Sequence, residues 1–259
     1  MDFKKVNLVY FSTTNVSKKY AVAMGKALEK EVVTYDFTLP SDRDASKAPC
    51  FKSDDLVIVS VPVYGGRLPT VCLEYLNALK GEKTPCVIIA TYGNRHYDDA
   101  LVELEDIMSE NGFAVVGACA VVGRHSFSDE IAGHRPNVED LEGAAEFIKL
   151  VVAKEGKPLS KGTVPGNRPY KGKGASSGIT PSTGDACIDC KLCAKKCPVG
   201  AINMENVKDI DGSKCLRCNR CVTICPTKAK AFTAPQYVQM VTNCIAGFGK
   251  PDRENVYFM

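Results

Sequence analysis

Through the first 155 residues, short runs of consecutive apolar residues alternate with stretches in which apolar positions recur every three or four. The runs Val6–Phe11, Glu31–Tyr35, Leu56–Val63, Cys86–Thr91 and Ala114–Val122 predict strands. The periodic stretches Ser17–Glu29, Thr70–Leu79, Tyr97–Asn111 and Val138–Lys154 predict helices. Strands that are apolar at successive positions, and not only at alternate ones, are covered on both faces, as in a parallel sheet. Five such units predict an α/β, doubly wound, five-stranded parallel sheet. Sheets of this kind bind ligands beyond the carboxyl ends of their strands. The segments that leave those ends are therefore where chemistry is expected.

The segment after the first strand is Ser12-Thr13-Thr14-Asn15-Val16-Ser17. It has no glycine, which excludes a dinucleotide fingerprint and a P-loop. Hydroxyls and free amides opening a helix suit one terminal phosphate, although Ser and Thr also serve as plain helix caps. Pro62-Val63-Tyr64-Gly65-Gly66 follows the third strand and Thr91-Tyr92-Gly93-Asn94 the fourth. Each is a glycine turn carrying a tyrosine at the same sheet edge. Two such rings would hold a flat conjugated ring between them, and glycine lets backbone amides reach its edge. Each tyrosine alone also reads as rim packing. Arg124-His125-Ser126-Phe127 leaves the fifth strand at that edge, with His125 as a loop histidine or a ligand contact.

At residue 156 the pattern changes. Residues 156–184 are rich in Gly, Pro, Ser and Lys, the composition of a linker, with Pro165-Gly166-Asn167-Arg168-Pro169-Tyr170 as a candidate docking knot. Residues 185–234 hold a doubled motif. Cys187-x-x-Cys190-x-x-Cys193-x-x-x-Cys197-Pro198 recurs 28 positions later as Cys215-x-x-Cys218-x-x-Cys221-x-x-x-Cys225-Pro226. Zinc ribbons use paired C-x2-C units and not this run. Disulfide scaffolds belong to oxidising compartments. Residues 235–259 form a tail with a short amphipathic helix expected around Tyr237, Val238, Met240 and Val241.

The composition adds exclusions. In 259 residues, 45% are hydrophobic and the net charge is +3, which is no nucleic-acid footprint. No apolar run approaches the length of a membrane span, and the start at Met1 leads straight into a strand, so a cytoplasmic protein is expected. Eight of the 13 cysteines fall in the doubled motif. Of the others, Cys86 and Cys119 read as small core residues, and Cys244 has no assigned role. In residues 185–234, nine basic residues face five acidic ones, which favours a partner with an acidic docking surface.

The doubled cysteine run resembles bacterial two-cluster ferredoxins. That resemblance implies two [4Fe–4S] clusters and crossed ligation, in which the fourth cysteine of each run serves the other cluster. Cys187, Cys190, Cys193 and Cys225 would hold one cluster, and Cys215, Cys218, Cys221 and Cys197 the other. The first domain resembles the flavodoxin family, whose phosphate loop pattern is matched at Ser12, Thr14, Asn15 and Ser17. This implies FMN, with Ser12–Ser17 on its phosphate, Tyr64 and Tyr92 flanking the ring, and Pro62, Gly65, Gly66, Thr91, Gly93 and Asn94 around it. Flavodoxins are usually acidic around the flavin, whereas Arg67, Arg95, Arg124 and Arg135 lie on this edge, alongside Asp98, Asp99, Asp129 and Glu130, and positive charge there would favour the anionic reduced ring.

The order of the two domains resembles the flavodoxin–ferredoxin fusion proteins of anaerobic bacteria and archaea. It implies an electron-transfer protein that couples one-electron carriers to a redox protein partner. Two other readings stay open: a flavin-dependent reductase of a small acceptor such as a quinone or dioxygen, and a redox-regulated binding module with structural clusters. The oligomeric state is left open, a dimer included.

Overall fold

The computed structural model describes residues 1–154, 156–174 and 178–259. Five parallel strands, β1 (Lys5–Tyr10), β2 (Glu31–Asp36), β3 (Asp55–Pro62), β4 (Thr84–Tyr92) and β5 (Phe113–Val122), lie in the order β2-β1-β3-β4-β5. This is the doubly wound order in which the chain leaves β1 in one direction and returns past it in the other. The helices α1 (Val16–Lys26), α2 (Thr70–Ala78), α3 (Ala100–Glu110) and α4 (Val138–Ala153) cover both faces. One core forms under α2 and α3, around Val59, Ile88 and Leu104, and a second under α1 and α4, around Leu8, Tyr20 and Ile148. β3, β4 and β5 are buried at nearly every position, which is why they read as continuous apolar runs. Each starts one to two residues before the expected strand, and β3 ends one residue short of it.

The sheet gains a sixth strand. After the helix α5 (Pro235–Phe248), β6 (Val256–Phe258) pairs antiparallel with β5 in the register Tyr257↔Cys119. Asn255 secures this return. Its Oδ1 accepts from Val122 N and its Nδ2 donates to Asp140 Oδ1 at 2.9 Å. The last residues thus belong to the sheet of the first domain. They carry too few apolar positions to announce a strand, because an edge strand of three residues is recruited by its neighbour's open backbone groups.

The expected linker is docked where it is described; residue 155 and residues 175–177 lie outside the described residues. Leu159 N donates to Val115 O at 2.7 Å. Further along, the knot folds against α3. Asp99, only 1% exposed, accepts from Asn167 N, Asn167 Nδ2 and Lys171 N at 2.9, 3.0 and 2.7 Å. Arg168 pairs with Glu105 and Asp106, and the Arg67 guanidinium lies over the Tyr170 ring. Gly166 has φ +153°, and a Cβ there would sit 2.2 Å from Val102, so close approach to α3 needs glycine.

Burial pulls the Asp99 carboxyl pKa up, but the bonds from Lys171 and Asn167 outweigh it and hold it below the usual carboxylate range. Its contribution is therefore fully present above a pH of about 4 and is lost as pH falls through the lowered value. Asp99→Ala should cost about 2–3 kcal/mol, as for hydrogen bonds to a charged group. Thermal unfolding at neutral pH checks this, and an unchanged midpoint would mean the knot holds without the carboxylate.

The cluster segment is small. Two single-turn helices, Leu192–Lys195 and Arg220–Thr223, occupy equivalent places in the two repeats, and a two-residue ribbon pairs Ser182–Thr183 with Lys230–Ala231. It is seated on the first domain by reciprocal arginine contacts. Arg43 donates to Pro198 O at 2.9 Å, and Arg220 donates to Ser12 O and Thr13 O at 2.9 and 3.1 Å.

Candidate functional site

At the carboxyl edge of the sheet lies a cavity of about 1260 Å³, counted to its open mouth. Thr13, Thr14, Val16 and Ser17 line it from the first loop, Pro62, Tyr64, Gly65 and Gly66 from the second, and Thr91, Tyr92 and Gly93 from the third. Ser12, Asn15 and Asn94 do not line it. Ser12 braces the loop from behind, its Oγ accepting from Lys18 N at 3.1 Å. Asn94 is turned to the C-terminal segment, where Nδ2 donates to Phe248 O and Pro251 O and Oδ1 accepts from Arg253 N.

The first loop has the chemistry of an anion cradle. Asn15 opens α1 with φ 65° and gives no side-chain cap. Among the described residues the N–H groups of Thr13 to Ser17 have no acceptor, although Thr13, Val16 and Ser17 are buried. Buried backbone donors are nearly always paired. Successive unpaired amides at a helix N-terminus are where a phosphate is bound. The hydroxyls are partly committed already: Thr13 Oγ1 meets Tyr64 Oη at 2.9 Å, and Ser17 Oγ meets Thr91 Oγ1 at 2.7 Å.

Tyr64 and Tyr92 occupy different surroundings. Tyr92 is 5% exposed, donates to Glu254 O at 3.3 Å and stands edge-on to Tyr97. The enclosed Tyr64 hydroxyl has its pKa raised well above the usual phenol value, chiefly by burial. Gly65 (φ 62°) has open space where a side chain would stand, whereas a Cβ on Gly93 would meet His125 at 2.4 Å. His125 is fixed on the wall: Nδ1 accepts from Phe127 N at 3.1 Å, and its ring packs against Phe127 and Phe248. Burial, helped by Arg124, pushes its pKa down to about 4, so it presents a neutral ring.

The expected positive edge is corrected by the geometry. Arg67 pairs with Glu103, Arg95 with Asp98, Arg124 with Asp129 and Arg135 with Asp140. Each guanidinium is answered by a carboxylate, and only Arg95 and Arg124 of the four line the cavity. The lining cation without an ion-pair partner among the described residues is Arg217, from the cluster segment, with Met240 Sδ 3.6 Å away. Sequence position could not reveal it, nor the roof formed by Met240, Cys244 and Phe248 of α5. Those walls are assembled by packing between distant segments.

The eight motif cysteines sort into two groups. Cys187, Cys190, Cys193 and Cys225 line one cavity of about 320 Å³, and Cys197, Cys215, Cys218 and Cys221 another of about 370 Å³. Ala229 N and Ala201 N approach Cys225 Sγ and Cys197 Sγ at 3.2 and 3.3 Å, equivalent bonds in the two repeats. Among the described residues no three His, Cys, Asp or Glu side chains are placed to share a single metal ion. Four thiols around each of two cavities suit a four-cysteine cluster in each. Lys230 is 2% exposed and has no carboxylate partner among the described residues. An ammonium buried beside these thiols is answered by anionic thiolate clusters.

Residues 186–229 match the family of 4Fe-4S dicluster domains. The sheet order β2-β1-β3-β4-β5 is that of the flavodoxin-like fold, and the dicluster match follows it in the same chain. No curated protein sequence matches it. Among solved structures, a flavodoxin from the domain Archaea is 15% identical over 58% of this chain and 97% of its own, with a TM-score of 0.40. The Streptococcus pneumonia TIGR4 flavodoxin is 19% identical over 57% and 98%, with a TM-score of 0.41. Flavodoxin 2 from Bacillus cereus is 16% identical over 58% and 99%, with a TM-score of 0.43. Among the described residues no helix is long and apolar enough to cross a membrane.

Proposed function

We propose that the chain passes electrons between two [4Fe–4S] clusters and one FMN, coupling one-electron carriers to a redox protein partner. One observation carries this reading. Cys218 lines both the cavity enclosed by Cys197, Cys215 and Cys221 and the cavity at the sheet edge. The two cavities share a wall, to which Leu216 and Arg217 also contribute. The clusters would supply one-electron exchange and the flavin one- or two-electron exchange. The chain's own residues hold and enclose them. Thr13 to Ser17 offer amides to a phosphate, Tyr64, Tyr92 and His125 wall the ring position, and Leu216 and Arg217 close it from the cluster side. Arg43 and Arg220 keep the two domains seated, replacing diffusional encounter by a fixed approach.

The far cluster position suits partner docking. Cys190 is exposed, Ile188 beside it is 65% exposed, and Lys195 and Lys228 are exposed on the same segment. An apolar centre with a basic rim fits an acidic partner surface.

Anaerobic purification with iron and flavin quantitation, followed by rapid mixing with a one-electron reductant, tests the reading. Cluster bleaching should precede flavin bleaching in the same molecule at a rate independent of protein concentration. Flavin reduction that scales with protein concentration would overturn it.

A further inference from the structure

The cysteines of the two repeats coincide at a shift of 28 positions, and among the equivalent pairs that differ in charge one is buried in both repeats. Ile202 follows Cys197 by five residues and lines the cavity of Cys197, Cys215, Cys218 and Cys221. Its counterpart 28 positions on is Lys230, which lines the cavity of Cys187, Cys190, Cys193 and Cys225. Both side chains are buried, at 5% and 2% exposure. The lysine is not a surface residue whose stem happens to be covered. Its Nζ donates to Val207 O at 2.5 Å and to Thr183 Oγ1 at 2.6 Å, both neutral acceptors. No carboxylate pairs with it among the described residues. Burying an unpaired ammonium is costly unless an anion answers it.

We propose that Lys230 is the built-in counter-ion of the cluster held by Cys187, Cys190, Cys193 and Cys225, and raises that cluster's reduction potential relative to the potential it would have with the apolar residue of the first repeat. This rests on the cluster assignment of the preceding subsection. One-electron reduction adds one negative charge to an already anionic cluster. A fixed cation in a poorly solvated site favours the more negative form, and the effect decays with distance. The lysine lies against the first cluster's cavity. It does not line the second cluster's cavity, so its influence there is weaker. The exposed lysines around the same cluster are screened by solvent and contribute little. Cluster potentials are set by such local charge and hydrogen bonding.

The test is a potentiometric titration of the full-length, cluster- and flavin-loaded protein followed by electron paramagnetic resonance. The variants are Lys230→Met, Lys230→Gln and Lys228→Met. Lys230→Met and Lys230→Gln should both lower one cluster's reduction constant at least tenfold, about 59 mV for a one-electron couple, and move the other less. Lys228→Met, an exposed neighbour, should move neither. Two outcomes overturn the proposal: no shift in either Lys230 variant, or equal shifts in both clusters. A shift in Lys230→Met without one in Lys230→Gln would overturn it too, since Gln keeps a donor to Val207 and Thr183 without the charge. A wild-type protein that shows no cluster signals at all would instead refute the cluster assignment itself.

Discussion

Cys218→Ala removes about half of the bound iron, keeps the flavin, and abolishes reduction of the flavin by the remaining cluster. The expected iron loss follows from the four-thiol grouping, since a cluster with one ligand replaced by a methyl group is not retained and the other keeps all four ligands. Flavin retention follows from the walls. Cys218 contributes one side chain to a cavity otherwise built by loops of the sheet domain and by α5. The loss of electron transfer follows from position, because the removed cluster is the one that adjoins the flavin cavity. Iron and flavin analysis with the rapid-mixing experiment reads all three results. Cys244→Ala is the control, since Cys244 also lines the cavity but belongs to neither thiol group; it should keep all of the iron. Rapid flavin reduction in Cys218→Ala would show that the distal cluster reaches the flavin by another route.

Stripping the iron with a chelator under reducing conditions should unfold residues 185–234 while the sheet domain remains folded. The apolar core of the cluster segment contains Cys193, Ala194, Ile202 and Val207, and what packs on it is largely cysteine: Cys187, Cys197 and Cys221, with Ile210. A core this small supplies at most about 3–5 kcal/mol, and half its members are ligands whose packing depends on what they hold. Lys230 worsens the balance, because without anionic clusters its buried ammonium has only neutral acceptors. Metal binding is then most of the folding free energy of the segment. The sheet domain has two cores of its own and does not depend on iron. Hydrogen exchange followed by mass spectrometry should show protection lost at Ala201 and Ala229 and kept through β1, β3, β4 and β5. Protection that persists at Ala201 and Ala229 after complete iron removal would contradict this account.

β1, β3, β4 and β5 were legible because burial on both faces forces apolar residues at successive positions, and β3 and β5 show this most fully, whereas β2 is an edge strand with no buried position. The cysteine groups were legible because ligand spacing is a local property of the chain. The loops that line the cavity could be found from the sheet alone, since ligands collect at strand carboxyl ends. Asn94 shows where that reasoning stops. Its position beside Gly93 marks it for the cavity, yet its amide serves Phe248, Pro251 and Arg253, residues some 150 positions away. Arg67, Arg95, Arg124 and Arg135 show the same limit for charge. Their proximity to the edge could be read from the sequence, as could that of Asp98 and Asp129, but the pairing could not, nor the helix carboxylates Glu103 and Asp140 that answer Arg67 and Arg135. The roof of α5 and the return of β6 depend on tertiary pairing, which leaves little periodic trace in so few residues.

That return has a topological consequence. Because β6 rejoins the sheet beside β5, the chain leaves the sheet domain after α4 and returns to it, and the cysteine-rich segment between is moored at both ends. A single protease nick at the exposed residues Gly172 to Gly174 would not set it adrift, since the carboxyl-terminal fragment would still be hydrogen-bonded to Cys119 and its neighbours through Tyr257. Release would require a second cut between α5 and β6. The two halves are thus constrained more like the leaves of a book than like beads on a thread.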